Sequence, residues 1–170
     1  MTKLLTLLLA ASLNSHAATL AFKLKGQPSA AFSETQIKSR ELKGLKAIDI
    51  TLYNVFRGYE RTYEGYDFFV LLDNVYGKDW RKQKKISFIA ADGYNQFAFI
   101  PAMLNAAKNK APYLVFSEKG KNGFTLIEKQ GKLIDPGPLY LVWSNFSEAD
   151  KASHADTLKW PYQLATISVD

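Results

Sequence analysis

The chain reads as an α+β protein of one domain, a mixed β-sheet accompanied by short helices. Three observations carry that expectation. Apolar residues alternate in short runs, as at Ile48, Ile50 and Leu52. Hairpin signals separate such runs, Asp92-Gly93 above all. Helical spacing is confined to brief stretches, and no linker, repeat or low-complexity tract divides the chain.

Taken in order, Thr19 to Gly26 alternates near its end and stops at a glycine, as a first strand does. Ser33 to Ile37 carries capping and turn residues and leads into a short helix or a loop. Leu45 to Tyr53 is β-rich, and Tyr53 to Gly58 bends as a loop or hairpin before the short extended stretch Thr62 to Tyr66. Asp67 to Tyr76 has helical spacing, with Asp67 as a natural N-cap and Gly77 as a terminator. Lys85 to Ala91 and Gln96 to Ile100 form a hairpin across Asp92-Gly93. Pro101 to Ala107 is a short helix with its proline in the first turn. Tyr113 to Phe116 and Phe124 to Ile127 are strands on either side of a Lys/Gly/Asn turn. Asp135-Pro136-Gly137-Pro138 is a rigid turn before the strand Leu139 to Trp143. Ser147 to Leu158 is polar, a loop or frayed helix, and Trp160 to Val169 closes the chain as a strand.

The beginning of the chain has its own pattern. A basic start at Lys3, an apolar run from Leu4 to Leu13, and small residues at Ser15 and Ala17 have the layout of a secretory signal peptide, with cleavage after Ala17. The run is too short to span about 30 Å of hydrocarbon. The expected organisation is therefore a signal over 1–17 and one domain over 18–170, placed in the periplasm. The chain has no cysteine, hence no disulfide, thiolate metal site or cysteine nucleophile. An aromatic fraction of 14% provides for a well-filled core instead. The net charge of +6 is spread through turns such as Lys82-Gln83-Lys84-Lys85, which fits a solvated surface, an acidic partner or an anionic membrane surface. No nucleic-acid-binding motif is present, so no nucleic acid is expected as a partner.

Four segments, in order, carry a resemblance. Tyr63-Glu64-Gly65-Tyr66-Asp67-Phe68-Phe69-Val70-Leu71-Leu72-Asp73 is one, and the hairpin Ile86 to Pro101 around Asp92-Gly93-Tyr94 is the second. The third is Asp135-Pro136-Gly137-Pro138-Leu139-Tyr140-Leu141-Val142-Trp143, and the fourth is Trp160-Pro161-Tyr162-Gln163-Leu164-Ala165-Thr166-Ile167. Together they resemble the core of sulfite-oxidase-type molybdopterin-binding domains. The resemblance implies that family's fold, a mixed sheet with a barrel-like core and short helices. Two departures stand out. The family's metal-ligand cysteine, expected near Ile50 to Arg61, is missing, and Tyr140 stands where an arginine often helps hold the anionic part of the cofactor. Without the thiolate the soft ligand for molybdenum is gone, and without the guanidinium so is a bidentate phosphate partner. The resemblance thus implies a reduced, metal-free pterin as ligand, without molybdenum and without a need for phosphate. It also points to an exported, cofactor-less branch of the fold, regulatory subunits that act on membrane-bound cyclic-di-GMP enzymes through their periplasmic domains.

A pterin is flat and wants an aromatic face, with a carboxylate or amide on its polar edge. Trp143 and Trp160 are the expected stacking groups, and Tyr162, Tyr94 and Tyr53 can add a face and a hydroxyl. Asp92 and Asp135 suit the amino edge, Ser144 and Asn145 the carbonyl, and Arg57 or Arg61 the ligand's oxygen atoms. Each has a plainer alternative: either tryptophan fits a core, Asp92 and Asp135 fit their turns, and the arginines fit the surface. Catalysis is not expected. His154 is the one histidine after residue 17, too few for a histidine metal cluster, and there is no Gly-rich phosphate loop. Two alternatives remain beside the pterin-binding regulator: a molybdopterin-dependent oxidoreductase subunit, and an interaction module whose pocket has filled with its own aromatics.

Overall fold

The computed structural model describes residues 18–154 and 157–170, so the expected signal over 1–17 lies outside the described residues. Its elements are β1 (Thr19–Leu24), β2 (Gln27–Ser33), α1 (Glu34–Lys38), β3 (Glu41–Leu42), β4 (Leu45–Lys46), β5 (Ile48–Asn54), β6 (Tyr59–Asp67) and α2 (Phe68–Tyr76). A 3-10 turn (Lys78–Lys82) leads on to β7 (Lys85–Ala90), β8 (Asn95–Phe99), α3 (Ile100–Ala106), β9 (Pro112–Glu118) and β10 (Ile127–Lys129). The rest are β11 (Lys132–Ile134), β12 (Tyr140–Trp143), α4 (Glu148–Ser153) and β13 (Leu164–Val169). The result is a sheet-rich mixed α/β domain with few helices and a sheet curled into a half-barrel.

Two sheets dominate. One has the order β2-β1-β13-β7-β8 and the other β12-β9-β6-β5. Pairing is antiparallel except between β1 and β13, which run parallel with Phe22 opposite Ile167, so the last strand lies in the middle of its sheet beside the first. Side chains of both sheets share one core with α2: Leu20, Phe22, Phe88 and Ile167 from the first sheet, Tyr63, Leu114 and Leu141 from the second. The α2 helix ties them together. Phe68 meets Phe88 at 6.1 Å between ring centres, and the Tyr76 hydroxyl donates to the Ile167 carbonyl at 3.0 Å.

Local chemistry explains most boundaries. Asp67 Oδ1 accepts from the Val70 N–H at 2.9 Å, the N-cap expected of it, and Gly77 ends the helix at φ 70°. Ser33 and Gln36 form a reciprocal capping box that starts α1, and Ser147 with Asp150 does the same for α4. Buried Trp80, in the 3-10 turn, donates from Nε1 to Asp73 Oδ1 at 2.7 Å, where Arg81 also binds. In β5 the inward face runs Ile50, Leu52, Asn54, while Ile48, expected on that face, lies at its open end and is 44% exposed.

One strand falls elsewhere than the sequence predicts. Phe124 to Leu126 is not paired, and the strand β10 begins only at Ile127, hairpinned with β11. Glu118 is the reason. Its carboxylate accepts from the Thr125 N–H at 3.1 Å and hydroxyl at 2.8 Å, and its own N–H donates to the Gly123 carbonyl, so side-chain bonds replace a ladder here. Gly65, in the first of the four segments, sits at an irregularity in the β6–β9 pairing. A Cβ there would lie 2.5 Å from the Leu114 carbonyl oxygen and 2.7 Å from Val115 Cα.

Gly65→Ala must push β6 off β9, so we expect a loss of about 1–3 kcal/mol in urea unfolding; an unchanged midpoint would show that the sheet gives way freely. Burial of the Glu118 carboxyl opposes its ionisation, but hydrogen bonds from Lys121 and Thr125 outweigh this and hold it below its ordinary value of 4.5. The unfolded chain therefore takes up this proton first, and the stabilisation, complete above that value, drains away as pH falls below it. The urea midpoint of the wild type should fall across this acid range, and that of Glu118→Gln should fall less.

Candidate functional site

The cavity with the clearest chemistry opens where the chain leaves one sheet for the other. After α4, residues 158–163 first run along β12: Leu141 N–H donates to Pro161 O at 2.9 Å, and Tyr162 bridges Tyr140. They then turn into β13, where Leu164 pairs with Ala90 of β7. The pivot is Gln163, in the left-handed region at φ 54°. Its N–H donates to Pro136 O at 3.0 Å, its Nε2 to Asp135 O at 2.7 Å, and its carbonyl accepts from Ala91 N–H at 2.8 Å. Three bonds offset a backbone conformation that costs a non-glycine residue of the order of 1–2 kcal/mol.

The cavity beside this crossing has a volume of about 360 Å³. Its walls are Phe56 and Arg57 from the β5–β6 turn, Tyr140, the Leu158–Trp160 stretch with Tyr162, Gln96 of β8, and Ile127, Lys129 and Ile134 of the β10–β11 hairpin. A second lobe of about 320 Å³ adjoins it, sharing Gln96, Lys129 and Tyr162 and adding Asp92, Tyr94 and Gln163. Each lobe lies within the range of small-molecule sites, which are mainly apolar with a few convergent polar groups. The aromatic wall is a connected cluster. Trp160 meets Phe56 at 5.3 Å, Phe146 at 5.4 Å and Tyr140 at 6.1 Å, all at steep angles, and Tyr140 meets Tyr162 edge-on at 6.4 Å. The Trp160 Nε1–H is buried and has no hydrogen-bond partner among the described residues.

Beneath the cluster sits a buried polar hub. Asn54 donates from Nδ2 to the hydroxyls of Tyr63 at 3.1 Å and Tyr140 at 3.3 Å, and its Oδ1 accepts from Phe56 N–H at 3.1 Å. Its carbonyl receives the N–H groups of Arg57 and Gly58. One side chain thus shapes the turn that presents Phe56 and Arg57 and braces the tyrosine behind them. Burial raises the Tyr140 phenol pKa against the opposing Asn54 hydrogen bond and the positive charge of nearby Arg57. The phenol therefore stays neutral in the physiological range.

The residues singled out in the sequence divide into two groups. Arg57, Trp160 and Tyr162 meet at the first lobe, and Asp92 and Tyr94 with Tyr162 at the second. Asp92 also serves its turn, accepting from Tyr94 N–H at 2.9 Å. The others line neither lobe. Trp143 is wholly buried against Phe69, and its Nε1 donates to the Lys159 carbonyl at 2.7 Å, so it anchors the cavity's backbone from behind instead of offering a stacking face. Asp135 shapes its proline turn by accepting from Gly137 N–H at 2.7 Å. Ser144 and Asn145 staple the end of β12 to the entry of β9, through Ala111 N–H to Ser144 Oγ at 2.9 Å and Asn145 Nδ2 to the Asn109 carbonyl at 3.3 Å. Arg61 reaches Glu118 at 3.7 Å, and Tyr53 is exposed on the outer face of β5.

Phe56, Gln96, Lys129 and Lys159 join the site without having been singled out. Asn54 was open to discovery, because the inward period Ile50, Leu52 continues to a polar residue that must find partners in the core. The lysines carried no such mark among many surface cations.

Removing the Asn54 side chain leaves several buried polar groups unpaired, so Asn54→Ala should cost about 1–3 kcal/mol in chemical unfolding. Tyr140→Phe, which loses one acceptor, should cost less; equal stability of Asn54→Ala and wild type would refute the hub.

No family model matches the chain and no curated protein matches its sequence, so the geometry and chemistry of the site carry the functional reading.

Proposed function

We propose that this chain binds a metal-free pterin in the two-lobed cavity and acts as a periplasmic regulatory subunit on a membrane-bound cyclic-di-GMP enzyme. The observation that carries the reading is the aromatic-walled cavity itself, which gathers residues from three of the four segments that resemble molybdopterin-binding domains. The Asp92-Gly93-Tyr94 hairpin, Tyr140, and the Trp160–Gln163 stretch all border it. The specific sulfite-oxidase fold belongs to the same proposal.

A pterin suits this chemistry. Trp160 and Tyr162 provide faces for the flat ring. The amides of Gln96 and Gln163 and the Asp92 carboxylate supply partners for an edge bearing an amino group, a ring N–H and a carbonyl. With no cysteine in the chain, a thiolate-held metal is not part of the reading.

The regulatory half rests on the resemblance and on strand β8. Gln96 of this strand lines both lobes, while Phe97 and Phe99 point to the opposite face, exposed and 5.6 Å apart, on the last strand of its sheet. An edge strand with exposed aromatics is a contact surface for another protein. One strand therefore joins the ligand to the face a receptor would touch, and binding that favours one arrangement of β8 passes ligand state outward.

Protein purified from its native periplasm and then denatured should release a metal-free pterin, detected by fluorescence and mass spectrometry. An empty protein that also fails to take up added reduced pterins overturns the reading. Trp160→Ala should weaken pterin binding about five- to tenfold, as loss of about 1 kcal/mol of stacking would.

A further inference from the structure

We infer that β8 takes its partner by strand addition: an extended, acidic segment of another protein lies along the outer edge of β8 and prolongs the sheet. This rests on the receptor half of the proposed function and names how the receptor is held.

The two main sheets have four outer strands among the described residues, β2, β8, β5 and β12. Outer strands present backbone groups to any passing chain, and proteins guard them with proline, bulges, charge or a covering segment. Three of these edges are guarded in that way. β2 carries Pro28 and a register shift that skips Ser29. β5 carries Asp49, which binds Lys119 at 2.6 Å and Arg40 at 3.6 Å. β12 is covered by the stretch before β13, through Leu141 N–H to Pro161 O at 2.9 Å and the Tyr140–Tyr162 bridge. β8 is built otherwise. Asn95-Gln96-Phe97-Ala98-Phe99 contains no proline and no charge, and it pairs with β7 in unbroken register.

The ladder aims the backbone of β8. Ala90 N–H to Tyr94 O at 2.8 Å and Ile100 N–H to Lys84 O at 2.9 Å fix the phase of its pairing with β7. Gln96 and Ala98 therefore exchange bonds with β7, while the N–H and carbonyl groups of Asn95, Phe97 and Phe99 point away from it. Phe97 and Phe99 are 48% and 58% exposed. An added strand thus meets donors, acceptors and an apolar surface at the same positions, and its alternate side chains pack on the two rings.

Charge selects the partner. Lys85 lies opposite Phe99, and its ammonium leans over β8, 5.9 Å from the centre of the Phe97 ring. Exposed Lys84 precedes it. Asp170 bonds the Lys85 backbone from the β13 side, away from the rings. A carboxylate on an added strand meets the Lys85 ammonium across the aromatic face, whereas a basic segment is repelled by both lysines.

Amide hydrogen exchange followed by NMR gives the first test. In dilute protein the Gln96 and Ala98 amides should exchange slowly and those of Phe97 and Phe99 fast. Protection of Phe97 and Phe99 in dilute protein would show the edge covered by the protein's own chain, and protection that grows with concentration a second copy; either overturns the inference. The probe for a partner is a short capped peptide alternating valine with threonine and ending in glutamates, compared with a twin ending in lysines. The glutamate peptide should protect the Phe97 and Phe99 amides and bind about tenfold or more tighter than its twin, with the advantage shrinking in high salt. Phe97→Pro removes an outward N–H and spares the ladder to β7, whereas Phe97→Thr keeps the N–H and removes the ring. Proline should lower the affinity about tenfold or more and threonine clearly less. Equal losses in the two variants, a lysine peptide that binds as well as the glutamate one, or no binding of either peptide overturns the inference. Pterin release and uptake are read separately, so strand addition and the pterin reading can each fail without the other.

Discussion

Between Trp160 and Leu164 a single short stretch is hydrogen-bonded to both sheets. Its first half lies against Leu139 to Leu141 at the edge of one sheet, and its second half enters the centre of the other between β1 and β7. A chain running between two laddered sheets has few conformations available, and here it turns by placing Gln163 in the left-handed region. The amide side chain and backbone of Gln163 hold the 135–136 turn and the β7–β8 turn together. The lobes lie on this crossing, so their shape depends on it. Trp160 and Tyr162 border them because the crossing is there, and Trp143 fixes the Lys159 backbone from the core side.

A second constraint is the buried amide of Asn54. An unsatisfied amide in a core is costly, and each of its groups is used: two tyrosine hydroxyls take its hydrogens and a backbone N–H meets its oxygen. Stability and site geometry are thus linked in one network. The same bonds that let a polar residue sit at the end of β5 also place Phe56 against Trp160 and bring Arg57 to the cavity wall. Rigid support of this kind limits the reorganisation a ligand must induce, which favours a site largely formed in advance.

Charge completes the picture. Several cations elsewhere on the molecule are paired with acids: Lys110 with Asp150 at 3.3 Å, Lys119 with Asp49 at 2.6 Å, Arg81 with Asp73 at 3.1 Å. Such pairs largely cancel their own fields. At the cavity, Arg57, Lys129 and Lys159 border the aromatic lobe and Asp92 borders its neighbour.

Local structure was legible in the sequence wherever neighbouring residues decide it. Asp67 and Gly77 bounded a helix, Asp92-Gly93 bent a hairpin, and alternation marked β5, because caps, turns and periodicity act within a few residues. The strand expected at Phe124 was lost to Glu118, seven residues away, whose carboxylate captured Thr125. The site was half legible. Trp160, Tyr162, Asp92, Tyr94 and Arg57 reach the cavity, while Trp143, Asp135, Ser144 and Asn145 have the right chemistry for a ligand and spend it on the fold. Nothing local separates the two tryptophans, both flanking apolar strands near the end of the chain. The sequence by itself determined which residue types and turns were available. Only the tertiary structure decided which aromatic faced a cavity and which faced the core, and which basic side chains border that cavity, because these depend on how two sheets and a small hairpin bring distant segments together.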